Sequence, residues 1–330
     1  MCVSRKWIVC LVLLLIIQIA ANFSDYKVTF QDDHFLMEGV FQVIGTDLDN
    51  DNVSEMAIAG KNYIGRELFV YWATIGPDFK PVIKWQSPNL FEDRSIIWIA
   101  AGKFTGDKNQ LLVITETQAY IYELADGGLT LVKQEKQPFD PLTINAGITS
   151  ADLNGDGRSE LAVAKVGRIT SKNFDGMIQV WQFKDGKPEI VAQSASTLGN
   201  IRSIAAGDID GDGKGELFVE EGPGTSPGRV HLLSLNDNKL TERYISKNFV
   251  NGAVFAMKVR SLPEGQRLLT ASDNGKLDIW MWDKSALVAA ERERQFNSGF
   301  VDVDAMDLNN DQIPELLLVG YPQRLMILSK

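Results

Sequence analysis

The sequence predicts an all-β chain, a β-propeller of six four-stranded blades in which an N-terminal strand completes the last blade. Three observations carry this reading. An acidic loop followed by an apolar strand recurs along the chain at near-constant spacing. Each recurrence leads into a second run rich in aromatic and β-branched residues, and five of the six lead on into a more polar run. One strand-like segment is left over ahead of the first repeat, while the last repeat lacks its fourth strand. A period of this length suits one propeller blade.

The loop is clearest at Asp208, Asp210 and Asp212, which alternate, with Gly213 next and Glu216 closing at position nine. Copies stand at Asp152, Asn154, Asp156, Gly157 and Glu160; at Asp47, Asp49, Asp51, Asn52 and Glu55; and at Asp307, Asn309, Asp311, Gln312 and Glu315. Alternating carboxylates on a tight loop offer the all-oxygen ligand set that calcium takes. An EF-hand would need an acid at position twelve, where this chain has Ile58, Val163, Val219 and Leu318. The loop therefore joins two strands rather than two helices. Positions one, three, five and nine are expected to supply side-chain oxygens, and Val53, Arg158, Lys214 and Ile313 at position seven a backbone carbonyl. Up to four calcium ions are expected. Gly157 and Gly213 suit a turn with positive φ, Asn52 tolerates one, and Gln312 does so less readily.

The pattern Asp-x-(Asp/Asn)-x-Asp-x-x-x-Glu with its apolar strand resembles the FG-GAP/VCBS repeats of integrin-α-like β-propellers, over residues 35–330. The chain departs from that family in closing on Glu where Asp is more usual and in lacking an evident Phe-Gly element. The resemblance implies a calcium-binding propeller whose acidic loops join first and second strands on one face. Ligands in that family usually dock on the other face, among the loops between second and third strands.

The first positions of the repeats fall at 47, 103, 152, 208, 258 and 307, with two degenerate copies. At 103 the loop keeps its shape but begins with Lys103 and places Leu111 at position nine; around Lys258 only the strand pattern survives. Third strands are expected at 68–72, 120–122, 178–181, 230–233, 277–282 and 325–328. Polar fourth strands, such as 80–85 and 239–245, suit an exposed outer edge. The leftover segment 26–30 is expected to pair with 325–328 and close the ring. No sequence remains for a seventh blade.

Residues 1–21 read as a secretory signal: Arg5 and Lys6, then an apolar run from Ile8 to Ile19, then Ala20 and Ala21. An uncleaved N-terminal membrane anchor is the alternative. Residues 22–330 read as one propeller domain. Both cysteines, Cys2 and Cys10, lie in the leader, so the mature chain should hold no thiol. The net charge of −10 is accounted for by the loops, which hold fourteen carboxylates. No basic, aromatic-interleaved patch points to nucleic acid.

Catalysis finds no constellation: His34 and His231 are the only histidines, and no GxSxG elbow occurs. The expected role is an exported, monomeric binding scaffold at or outside the cell surface, its ligand an unidentified protein or polysaccharide. The alternatives are a lectin-like propeller and an enzyme such as a polysaccharide lyase or glycosidase. The loops between second and third strands are longest in the third and fourth repeats and intermediate in the first, which nominates Tyr63, Arg66, Lys165, Arg168, Lys172, Phe174, Glu220 and Glu221 as ligand contacts.

Overall fold

The computed structural model describes residues 25–32, 39–62, 65–92, 97–136, 144–168, 174–184, 186–195, 198–222, 228–247, 253–321 and 324–330. The leader, with both cysteines, and His34 lie outside the described residues. Among the described residues, no helix is long and apolar enough to cross a membrane.

The strands form six four-stranded antiparallel sheets. Blade one is Val40–Thr46, Glu55–Asn62, Glu67–Ile75 and Pro81–Gln86. Blade two is Ile97–Gly102, Gln110–Thr115, Gln118–Ala125 and Gly128–Lys136. Blade three is Ile144–Ala151, Glu160–Arg168, Phe174–Lys184 and Lys187–Gln193. Blade four is Ile201–Gly207, Glu216–Glu221, Arg229–Asn236 and Lys239–Ile245. Blade five is Val254–Leu262, Gly265–Ser272, Lys276–Trp282 and Leu287–Gln295. Blade six is Phe300–Met306, Glu315–Gly320 and Arg324–Ser329, completed by Lys27–Asp32. The first strands of successive blades lie against one another, and that of blade six lies against that of blade one. The ring is closed.

The central residues of the second strands are apolar on both faces because a blade has a neighbour on each side. Met56 and Ile58 pack with Leu317, Leu325 and Ile327 of blade six. Ala57 and Ala59, on the opposite side of the same strand, pack with Ile99, Leu111 and Val113 of blade two. An alternating strand would leave one of these seams polar. Each fully buried Leu, Ile or Val contributes about 1.5–3 kcal/mol, so the seams hold most of the fold's hydrophobic stabilisation. Fourth strands meet solvent on their outer edge and are accordingly mixed, as in Lys239–Ile245.

The expected closure is observed. Lys27 pairs with Ser329, Val28 with Leu328, Phe30 with Ile327, Gln31 with Met326 and Asp32 with Leu325. Tyr26, just ahead of the strand, is buried and donates its hydroxyl to the Pro314 carbonyl at 2.9 Å. The first strands are also tied by side chains. Asp302 Oδ2 accepts from Val43 N–H at 2.8 Å and Asp304 Oδ2 from Gly45 N–H at 3.0 Å, which links blade six to blade one. Gln42 Oε1 accepts from Ile99 N–H at 2.9 Å and links blade one to blade two.

Blade five corrects the expected spacing. Lys258 does not open a loop; it lies inside the strand Val254–Leu262, paired with Leu269. That strand and its partner run on to a tight hairpin in which Leu262 pairs with Gly265. The place of the acidic loop is taken by two more rungs of sheet.

Candidate functional site

The four acidic loops share one set of backbone bonds. The position-one carboxylate accepts the amides of positions five and six: Asp47 from Asp51 and Asn52, Asp152 from Asp156 and Gly157, Asp208 from Asp212 and Gly213, Asp307 from Asp311 and Gln312. Position five accepts the amide of position seven, so Asp51, Asp156, Asp212 and Asp311 bind the N–H groups of Val53, Arg158, Lys214 and Ile313. The closing Glu begins the second strand and accepts the amide of position two. Glu55, Glu160, Glu216 and Glu315 receive Leu48, Leu153, Ile209 and Leu308 at 3.0, 2.9, 3.2 and 2.8 Å. Positions four and six take positive φ in all four loops, through Asn50 and Asn52, Gly155 and Gly157, Gly211 and Gly213, and Asn310 and Gln312. Gln312, expected to resist this conformation, adopts it at φ 67°.

The closing glutamates are buried, and burial pushes the carboxyl groups of Glu55, Glu160, Glu216 and Glu315 up to about 7, with neighbouring Asp charges adding to the rise. What faces each free oxygen differs from loop to loop. In blade four, Arg243 of the fourth strand reaches Glu216 Oε1 at 2.7 Å and Asp210 Oδ2 at 2.8 Å. In blade three the Asn154 amide donates to Asp156 and Glu160, and Gln182 also donates to Asp156. In blade six Asn309 donates to Asp311 and Glu315 in the same way. In blade one no described side chain donates to Asp47, Asp49, Asp51 or Glu55. The carboxylate oxygens of Asp47, Asp49 and Glu55 lie within 4.8 Å of one another, as do those of Asp208, Asp210 and Glu216.

The loops are chained around the ring. Ser54 N–H donates to the Asp307 carbonyl at 3.2 Å, Ser159 to Lys103 at 3.0 Å and Gly215 to Asp152 at 2.7 Å. Each bond runs from the end of one loop to the first position of the loop before it. Blade two makes the same link with a side chain, Asn109 Nδ2 to the Asp47 carbonyl at 2.5 Å. Its loop is one residue shorter, and Gln110 holds the place of the closing acid, accepting the amides of Phe104 and Thr105. The sequence alignment had placed Leu111 there. Blade five, with its hairpin, interrupts the chain.

The turns between second and third strands lie at the other end of each sheet. Arg66 is exposed in one of them, its guanidinium 5.0 Å from the Phe91 ring centroid. Lys165 is half-buried on a strand, paired with Ile144 and Met177. Arg168 and Phe174 are backbone partners at the ends of two long strands of blade three. Their side chains, and Tyr63 and Lys172 altogether, lie outside the described residues. Glu220 departs from its expected place on an exposed loop. It is fully buried in the strand Glu216–Glu221 and forms an ion pair with Arg202, whose Nε lies 2.7 Å from Glu220 Oε2. Glu221 follows it in the strand and meets Arg229 at 2.8 Å and His231 Nε2 at 2.9 Å. His231 is buried, with Nδ1 2.7 Å from Glu242. Both of its nitrogens are engaged by carboxylates in a packed position.

No protein-family model matches the chain, and no curated protein matches it. Among solved structures, the crystal structure of BBS1N in complex with ARL6DN, soaked with mercury, is similar, with a TM-score of 0.54 over 92% of this chain and 96% of that one at 12% identity. At that identity the likeness speaks for the propeller fold alone.

Proposed function

We propose that this β-propeller is an exported, calcium-loaded scaffold of the FG-GAP/VCBS kind that binds another macromolecule without catalysing a reaction on it. The single observation that supports it most is the repetition of one loop geometry four times, with oxygen donors gathered at its mouth. Calcium–oxygen distances of 2.3–2.6 Å make opposite ligands about 4.6–5.2 Å apart, and the carboxylate oxygens of two loops lie within 4.8 Å of one another. Asp47, Asp49, Asp51 and Glu55 would hold one ion, and the equivalent residues of blades three, four and six the others. Buried, mutually repelling acids are the surroundings that a divalent cation relieves. The ion would supply charge neutralisation and rigidity rather than chemistry.

Binding of a macromolecule is supported by the scaffold itself and by BBS1N, a propeller whose crystal structure is a complex with ARL6DN. Export is supported by the character of residues 1–21. The test is to titrate the metal-stripped chain with calcium and magnesium while following melting temperature and the number of ions bound by native mass spectrometry. Saturable, calcium-selective stabilisation with up to four ions is expected. A chain that melts identically in calcium and in excess EGTA has ordinary turns at these positions.

A further inference from the structure

Where the first strands converge at the ring axis, a cavity of about 180 Å³ is lined by Thr46, Thr149, Ser150, Asn109, Lys258 and Arg260, among others. Asn109 comes from the acidic loop of blade two, which sets the cavity at the acidic-loop end of the axis. Of the two cations lining it, one is already matched. Arg260 binds Asp304 in a two-pronged pair, Nε to Oδ1 at 2.6 Å and Nη2 to Oδ2 at 2.8 Å. Lys258 differs: its ammonium donates a hydrogen bond to no described residue. Its charge acts on Asp302, whose two oxygens also accept the amides of Val43 and Val303. The hydroxyls of Thr46 and Thr149 likewise make no hydrogen bond to described residues, and Ser150 donates its own to Ala101, which leaves its oxygen lone pairs free to accept. The cavity therefore presents donors that lack acceptors.

A second hollow adjoins it. A groove of about 480 Å³ runs beside the blade-five hairpin, over Ser261, Leu262 and Pro263, and shares Gly45 and Arg260 with the axial cavity. It lies where the chain of loops is interrupted. Elsewhere the mouth is fenced by loops bonded to one another.

We propose that the axial cavity receives the C-terminal carboxylate of an extended peptide lying in this groove, with Lys258 as its counter-ion and Thr149 and Thr46 as hydrogen-bond donors. Size and access select this occupant. Small-molecule sites usually measure about 300–1,000 Å³, so the cavity suits one functional group rather than a whole ligand. A groove that leaves on one side admits a chain end, whereas an internal residue whose backbone entered the cavity would need a way out on the fenced side too. Capture of a terminal carboxylate by unmatched donors is an established mode of peptide recognition. The axial cavity stands on Lys258, outside the acidic loops, whereas the groove also touches Asp307 and Gln312 of the blade-six loop, so calcium there would bear on the groove.

The test uses the full chain and three probes: a pentapeptide of alanines with a free C-terminal carboxylate, the same peptide as its C-terminal amide, and acetate. Binding is measured by calorimetry at fixed ionic strength, once with calcium and once with EGTA. The free-acid peptide should bind at least tenfold more tightly than the amide and than acetate. Lys258→Met should weaken the free acid at least tenfold, Lys258→Arg should retain it within about threefold, and Thr149→Val should weaken it without touching the amide. Equal binding of acid and amide, acetate matching the peptide, unchanged affinity in Lys258→Met, or no binding heat from any probe would each overturn the proposal. If Lys258→Met fails to fold, Thr149→Val and Lys258→Arg carry the same comparison. A dependence on calcium in wild type, with the acid-over-amide preference intact, would bear on the loops and leave this site standing.

Discussion

The acidic loops of blades one and four carry the same acids at the same positions, yet they balance their charge in different ways. In blade four, Arg243 reaches across from the fourth strand and bridges Asp210 and Glu216. In blade one the matching acids, Asp49 and Glu55, have only backbone amides and one another. Asp49 is itself raised, first by burial and then by Asp51 and Asp47. The amides of positions two, five, six and seven bond alike in both loops, but the position-three acid takes the Asp51 amide in blade one and Arg243 in blade four. One loop carries a cation of its own; the acids of the other meet no described side-chain cation.

The largest effect should come from calcium. With extracellular-type dissociation constants near ~10⁻⁴ M, each loaded site adds about 1.4 kcal/mol at ~1 mM calcium. Melting in calcium against EGTA measures the sum. Asp47→Ala with Asp49→Ala should remove one full share, whereas Asp208→Ala with Asp210→Ala should remove less, since Arg243 already competes there. Equal losses from the two double variants would break the comparison.

Arg243→Met sharpens it from the other side. Without calcium, Glu216 is left buried with no counter-charge, at a cost of about 1–2 kcal/mol after allowance for the partial exposure of the arginine. With calcium, the variant should respond more strongly than wild type. Urea denaturation in both buffers reads the two changes, and a variant as stable as wild type in EGTA would show that the bridge does not compensate the loop.

A pH series separates the loops from the seam. Burial lifts the Asp302 carboxyl from the ordinary 3.8 to about 6, and Lys258 opposes the rise. A raised acid binds its proton more tightly in the folded chain, so its contribution is fully present below about 3.8 and lost as the pH climbs through 6. Asp302→Asn should lessen that part of the slope, leaving the share of the four closing glutamates raised to about 7, while the calcium response of blades one and four stays as in wild type. An unchanged slope would place the titration elsewhere.

The smallest effect concerns blade six. Gln312 holds a left-handed conformation that glycine holds in blades three and four. Gln312→Gly should stabilise the chain by about 0.5–1 kcal/mol, the relief of strain outweighing the added freedom of the unfolded chain. A lower melting point would mean that the Gln312 side chain contributes more than its backbone strain takes away.

Much of the ring was legible in the sequence because each blade repeats one pattern: a second strand buried on both faces carries an apolar run at its centre, and an outer strand does not. The closure was legible because a strand was missing at one end and spare at the other. The charge balance was not. Arg243 sits in an ordinary polar strand, and only the register of blade four brings it to Asp210, thirty-three positions earlier. Gln110 escaped notice because its loop is one residue short, and fixed spacing put Leu111 in its place. Lys258 was aligned to a loop because period alone cannot tell a lost loop from a longer hairpin. Glu220 read as a loop residue because a buried charge is recognisable only once its partner, Arg202, is known.

The pairing of Lys27–Asp32 with Arg324–Ser329 also bears on the order in which the protein folds. Five blades are assembled from strands near one another in sequence, but blade six joins residues as far apart as Thr29 and Ile327, whose hydrogen bond spans 298 positions. Closing a loop about six times longer than a single blade costs about 1.6 kcal/mol more in chain entropy, and contacts of such span slow folding. A ribosome releases Lys27–Asp32 ahead of the other described strands of the ring and its partner after them, so while the ring is being made that strand stays without its mate and open to pairing with a second copy. Of the described strands, the first made is the last paired.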